Sequence, residues 1–141
     1  MSPNGYPPTI FVVGTERNIG KTVTCMGIIS KLTSPELGYS LEDIGYIKPV
    51  GQQTLTVMNG QGVPIQADKD AVLLTSLLGI SCCGYENMSP VVWRDGLTAT
   101  FIDEAAQGDP QKGKEAFIHL IRNAYEQVCQ GKKIVIVEGT G

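Results

Sequence analysis

The chain has 141 residues, 42% of them hydrophobic and 18% charged, with a formal net charge of −3. This length suits one compact domain with a buried core, and the composition excludes a disordered tail. The mild negative charge gives no electrostatic footprint for nucleic acid. No apolar run approaches the roughly 20 residues of a membrane helix.

In chain order, Met1 to Pro8 reads as a polar, Pro/Gly-rich flexible leader with no basic stretch typical of a secretory signal. Thr9 to Val13 reads as a buried strand ended by Gly14. Lys21 to Leu32 reads as a helix with an apolar stripe of Val23, Met26, Ile29 or Ile28, and Leu32, closed by Ser34-Pro35. Ile44 to Val50 reads as a second strand, and Gly51 to Val63 as a loop or small hairpin. Asp68 to Leu78 is expected to be a helix, apolar at Val72, Leu73, Leu77 and Leu78 and stopped by Gly79. The stretch from Ser81 to Asp109 carries no clear period; in it, Trp93 suggests packing and Arg94-Asp95-Gly96 a turn. Glu115 to Cys129 is the clearest helix, with Phe117, Ile121, Ala124 and Val128 on one face and Gly131 beyond its end. Ile134 to Val137 is a third buried strand, followed by Glu138-Gly139-Thr140-Gly141.

Strands alternating with helices imply a doubly wound α/β fold with a mostly parallel sheet and right-handed crossovers. Residues 9–141 form one nucleotide-binding-type domain on this reading, and the missing further βα units make the chain look truncated at its C-terminus. The four cysteines form no CxxC pair, and the adjacent Cys82-Cys83 suits neither a disulfide nor a zinc site. Cys25, Cys82, Cys83 and Cys129 therefore read as reduced thiols of a cytoplasmic protein. Asn87-Met88-Ser89 matches a glycosylation sequon by coincidence. His119 reads as a solvated or core-edge residue, and Lys112, Lys114, Lys132 and Lys133 as solvated flanking charges.

Four stretches carry chemistry. A phosphate-binding loop needs a strand to deliver the chain, glycines that let backbone N–H groups approach phosphate oxygens, a helix start, a lysine and a hydroxyl for Mg²⁺. Val12-Val13, Gly14, Gly20, Lys21 and Thr22 supply these in order. Thr15 stands where the strict pattern wants glycine, so the loop is one residue longer; the alternative is an ordinary strand-to-helix turn. Glu138, at the carboxyl end of a buried strand, is placed to hold Mg²⁺ directly or through water, or is a surface carboxylate. Lys48 interrupts an apolar strand and needs an anionic partner, or snorkels to solvent. Asp68 caps a helix, and Asp70 is either a first-turn carboxylate or a second Mg²⁺ ligand.

The order of these pieces resembles the dethiobiotin synthetase-like P-loop family, which includes cobyrinic acid a,c-diamide synthase relatives and an N-terminal domain of some phosphate acetyltransferases. The family loop G-T-D-T-x-V-G-K-T matches Gly14-Thr15-Glu16-Arg17-Asn18-Ile19-Gly20-Lys21-Thr22 in length, K-P-V matches Lys48-Pro49-Val50, and V-E-G-x-G matches residues 137–141. The helix-start aspartate matches Asp70. The resemblance implies ATP and Mg²⁺, nucleotide contacts from Gly14, Thr15, Arg17, Asn18, Ile19, Gly20, Lys21, Thr22 and Val23, and metal contacts from Thr22, Asp70 and Glu138. Lys21 and Lys48 would then be catalytic, neutralising the transferring phosphoryl group and a carbamate or carboxylate. The implied partners are a small-molecule substrate and a second copy in a homodimer, with neither nucleic acid nor membrane. Two functions follow: an ATP-dependent ligase-type enzyme, or a nucleotide-binding regulatory module of the phosphate acetyltransferase type. Arg17 and Asn18 depart from the family loop, which implies different phosphate or substrate contacts there, and Gly51-Gln52-Gln53 replaces the small-residue run expected beside the diamine, which puts the diamine substrate in question.

Overall fold

The computed structural model describes residues 5–16, 18–80, 83–92 and 110–140. Arg17, Cys82, Trp93, the turn at 94–96, Gly141, the start of the leader and the side chain of Lys112 lie outside the described residues.

The elements run β1 (Thr9–Val12), α1 (Lys21–Leu32), a 3₁₀ turn (Leu41–Asp43), β2 (Ile44–Ile47), β3 (Val50–Gly51), β4 (Thr54–Met58), β5 (Pro64–Asp68), α2 (Lys69–Leu78), α3 (Tyr85–Met88), β6 (Val91–Val92), α4 (Pro110–Cys129) and β7 (Ile134–Glu138). The main sheet is parallel, in the order β1-β7-β2. All five residues of β7 are buried, as expected of a strand flanked on both edges and covered on both faces. Register pairs Ile136 with Ile10 on one side and Tyr46 on the other, which aligns Val12 with Glu138.

Alternation then divides the core into two layers. Val12, Ile44, Tyr46, Ile134 and Ile136 face α1 and α2 and pack with Cys25, Ile29, Ala71 and Leu74. Ile47, Val135 and Val137 face α4 and pack with Ala124 and Val128. Helices on both faces of a parallel sheet make this a three-layer α/β fold.

Several expectations need correction. β1 is not buried throughout: Phe11 and Val13 are 67% and 71% exposed. Among the described strands β1 pairs only with β7, so one of its edges and part of the Phe11 face stay open. The buried stripe of α1 is Cys25, Ile29 and Leu32, spaced i, i+4, i+7, while Val23 is exposed. In α2 the buried residues are Ala71 and Leu74, and Leu77 faces solvent. The expected second strand stops at Ile47, because Pro49 has no N–H for a ladder. The Lys48 amide instead donates to Met88 O at 2.7 Å, and β3 starts a new parallel pair with β6. The Gln-rich segment does form a hairpin, β4–β5, and its second strand runs to Asp68. α4 begins at Pro110, earlier than the periodicity indicates. His119 is exposed, as expected, and the described cysteines, Cys25, Cys83 and Cys129, are free thiols.

One close approach fixes how α4 sits on the sheet. A Cβ on Gly45 of β2 would lie 2.9 Å from Val128 Cγ1 and 3.0 Å from the Val128 carbonyl oxygen. Backbone cannot yield as a side-chain tip can, so Gly45→Ala is expected to push α4 off β2 and cost about 1–3 kcal/mol. A lowered urea midpoint checks this; an unchanged midpoint contradicts the packing.

Candidate functional site

The loop from Val13 to Gly20 joins the end of β1 to α1. It bends back at two left-handed residues, Asn18 (φ 58°) and Gly20 (φ 89°). Gly20 occupies the N-cap of α1 in a conformation that glycine adopts without steric cost, and no side chain caps the helix there. The first-turn N–H groups, which lack intrahelical acceptors, thus present the positive end of the helix dipole beyond Gly20. The Lys21 ammonium folds back and donates to the Glu16 carbonyl at 2.9 Å. Among the described residues Lys21 forms no ion pair, so its charge is not matched by a carboxylate.

At the centre lies Glu138, the last residue of β7 and only 1% exposed. The reading of Glu138 as a surface carboxylate therefore fails. Thr22, one residue past the lysine, donates its hydroxyl to Glu138 Oε1 at 2.9 Å. Tyr46 reaches along the same face of the sheet and donates to Oε2 at 2.8 Å. Burial and the neighbouring Glu138 charge push the Tyr46 phenol well above its ordinary range, so it stays a donor. Cys25, one turn along α1 from Thr22, is fully buried, and burial followed by the Glu138 charge raises its thiol pKa.

Lys48 is 7% exposed, which rules out snorkelling. Its ammonium pairs with Asp70 Oδ2, lies 3.4 Å from Asp68 Oδ1 and 3.9 Å from Glu138 Oε1. The anion required by a buried lysine thus comes from the protein's own carboxylates. Burial opposes the charge of Lys48, but the hydrogen bond to Asp70 and the fields of Asp68, Asp70 and Glu138 outweigh it, and its pKa is raised. Its contribution to stability is therefore present throughout neutral pH and fades only above the ordinary lysine range. Asp68 does cap α2, through Asp70 N–H at 2.9 Å, and its other oxygen accepts from the Gln52 amide at 3.2 Å. Asp70 thus sits in the first turn, turned towards Lys48.

These groups surround a cavity of about 470 Å³ lined by Asn18, Gly20, Lys21, Thr22, Val23, Lys48, Gln52, Gln53, Lys69, Asp70, Glu138, Gly139 and Thr140. Of the sequence candidates, Gly14, Thr15 and Ile19 belong to the loop but do not line the cavity. A Cβ at Gly14 would meet Ile19 Cδ1 at 2.3 Å, so Gly14 serves the loop's own closure. Arg17 lies outside the described residues. Tyr46 and Lys69 join the site without belonging to any of the four sequence motifs, and Gln52 and Gln53, which depart from the family pattern, line its cavity. Tyr46 had a signal: it stands two residues before Lys48, hence on the same face of a strand. Gln53 and Lys69 meet only through the hairpin, where the Lys69 backbone donates to Gln53 O at 2.7 Å and its ammonium to Gln53 Oε1 at 3.0 Å.

Among the described residues no group of three or more histidine, cysteine, aspartate or glutamate side chains forms a metal cage. The oxygen set of Thr22, Asp70 and Glu138 suits Mg²⁺ nonetheless, because that ion commonly keeps waters and substrate phosphates alongside one or two carboxylates. No described helix is long and apolar enough to cross a membrane.

A family model described as an AAA domain matches residues 8–141. No curated protein matches the chain.

Removing the Lys48 charge leaves Asp68 and Glu138 buried without their cation. Lys48→Met is expected to destabilise the fold by about 3–5 kcal/mol, the range for breaking a buried pair from one side. Chemical denaturation measures it, and a loss below about 1 kcal/mol contradicts this account of the cluster.

Proposed function

The chain belongs to that AAA-domain family, the dethiobiotin synthetase-like group of P-loop ATPases, and from this premise we propose that it binds ATP with Mg²⁺ and transfers the γ-phosphoryl group to a small carboxylate or carbamate. Membership itself makes it a nucleotide-binding P-loop domain; the ligase-type chemistry is our reading. The observation that carries it is the pairing of an uncompensated Lys21 ammonium with an uncapped helix N-terminus, at a cavity floored by Glu138 and Lys48.

The chemistry divides among the residues as follows. The loop amides and Lys21 hold the phosphate tail and draw charge from its terminal oxygens. Thr22, Asp70 and Glu138 would hold Mg²⁺, which when bound would supply neutralisation of phosphate charge. Lys48 offsets the negative charge of the incoming acceptor. An acceptor oxygen attacks the γ-phosphorus as the bond to the β–γ bridging oxygen breaks, and that oxygen leaves with the electron pair on ADP. The product is a mixed anhydride, and no proton moves in this step. Positioning and charge neutralisation suffice for such a transfer.

Gln52 and Gln53 line the cavity with polar amides, which favours a polar acceptor over the apolar backbone of a long diamine. The second reading is a nucleotide-sensing module that binds ATP without turning it over, which the same Lys21 ammonium and helix N-terminus would serve equally. We place the protein in the cytoplasm, acting on a small molecule as a homodimer.

Two variants test the reading. Lys21→Ala is expected to weaken ATP–Mg²⁺ binding by at least about tenfold in calorimetry, or 1.4 kcal/mol. Unchanged affinity removes the phosphate-loop role. Glu138→Gln is expected to weaken binding in excess Mg²⁺ more than binding in EDTA, and equal losses take Glu138 out of the metal site. ATP hydrolysis dependent on an added carboxylate or amine acceptor selects the enzyme; tight binding with no acceptor-dependent turnover selects the sensor.

A further inference from the structure

We propose that Tyr46 is a positioning residue for the metal site, its buried hydroxyl fixing the orientation of the Glu138 carboxylate towards the cavity. The proposal rests on the reading of Glu138 as a Mg²⁺ contact, and nothing in the family match concerns Tyr46.

The terminal torsion of a glutamate side chain is broad and roughly two-fold, so rotamer preference alone does not aim the carboxylate. In this structure both oxygens are engaged: Oε1 accepts from Thr22 and Oε2 from Tyr46. Thr22 belongs to the first turn of α1, directly after the loop that ends at Gly20. Tyr46 belongs to β2 and is fully buried in the core with Ile136, Cys25 and Ile29. It is thus the donor on the rigid side.

Register explains how it reaches. Tyr46 is paired with Ile136, two residues before Glu138, and positions 136 and 138 share a face. Diagonal neighbours of this kind are within range of an aromatic side chain. The ring crosses the face of β7 and delivers its O–H at 2.8 Å, at the boundary between apolar core and polar cavity. A phenylalanine would fill the same core volume, so the hydroxyl is required by the carboxylate rather than by packing. Donors that orient ligating carboxylates commonly control metal affinity by 10–100-fold.

The test uses the full chain with ATP, Glu138→Gln, Tyr46→Phe and the double variant. Mg²⁺ affinity of the ATP complex, ATP affinity in EDTA and thermal midpoint are all measured. Tyr46→Phe is expected to weaken Mg²⁺ by at least about tenfold while ATP affinity in EDTA changes less than about twofold. The double variant is expected to match Glu138→Gln alone, because Tyr46 acts through that carboxylate. This last comparison stands even where Tyr46→Phe by itself fails to fold, since glutamine relieves the unpaired charge. An unchanged Mg²⁺ affinity in Tyr46→Phe overturns the proposal, as does an equal loss with and without metal, or a double variant worse than Glu138→Gln. If Glu138→Gln itself leaves Mg²⁺ affinity unchanged, the metal reading of Glu138 fails first and the role of Tyr46 falls with it.

Discussion

The arrangement depends on one buried carboxylate. Glu138 ends the central strand of the sheet, and burying its charge has to be offset by hydrogen bonds and a cation. Thr22 brings the first turn of α1 to it, Tyr46 brings β2, and Lys48 approaches with Asp68 and Asp70 from the start of α2. Three separate stretches of chain thus converge on a single strand end. Satisfying Glu138 aligns the loop after β1 with the helix start after β5, and the cavity is the space between them.

The parallel sheet makes that convergence possible. With β7 between β1 and β2 and all three strands parallel, their carboxyl ends open on the same side. Open α/β sheets bind ligands at such points. The two-layer core supports it from both faces: α1 and α2 hold the side on which Tyr46 and Glu138 lie, and α4 closes the other with Val128 against β2. Stability and site are therefore coupled through β7, whose residues alternate between the two layers.

How far the sequence reveals this follows the range of the interactions. The loop, the helix start at Lys21 and the cap at Asp68 were legible because their causes are local: glycine at a left-handed position, a hydroxyl beside a lysine, a carboxylate two residues before an amide. The α/β class was legible from periodicity. Which strand lies centrally was not, because strand order comes from crossovers that no local pattern records. For the same reason Lys48 announced that it needed an anion without naming Asp70, and Asp68 announced a cap without disclosing that it also faces Lys48. The exposure of Phe11 and Val23 ran against their hydrophobicity because an apolar run states what can be buried, not what the fold covers.

The charges of the cavity also bear on its order of events. Lys48 is already engaged by Asp70 and flanked by Asp68 and Glu138, whereas Lys21 rests on a neutral carbonyl. An arriving anion therefore meets Lys21 first, since capturing it there breaks no ion pair. Lys48 becomes available only when another cation takes over part of its claim on Asp70 and Glu138. On the proposed reading Mg²⁺ would be such a cation, held by Thr22, Asp70 and Glu138, and would share two of those carboxylates with Lys48. One ammonium set against three carboxylates leaves the cluster net negative, which favours a second cation beside Lys48 and makes the metal and the phosphates complementary guests of one site.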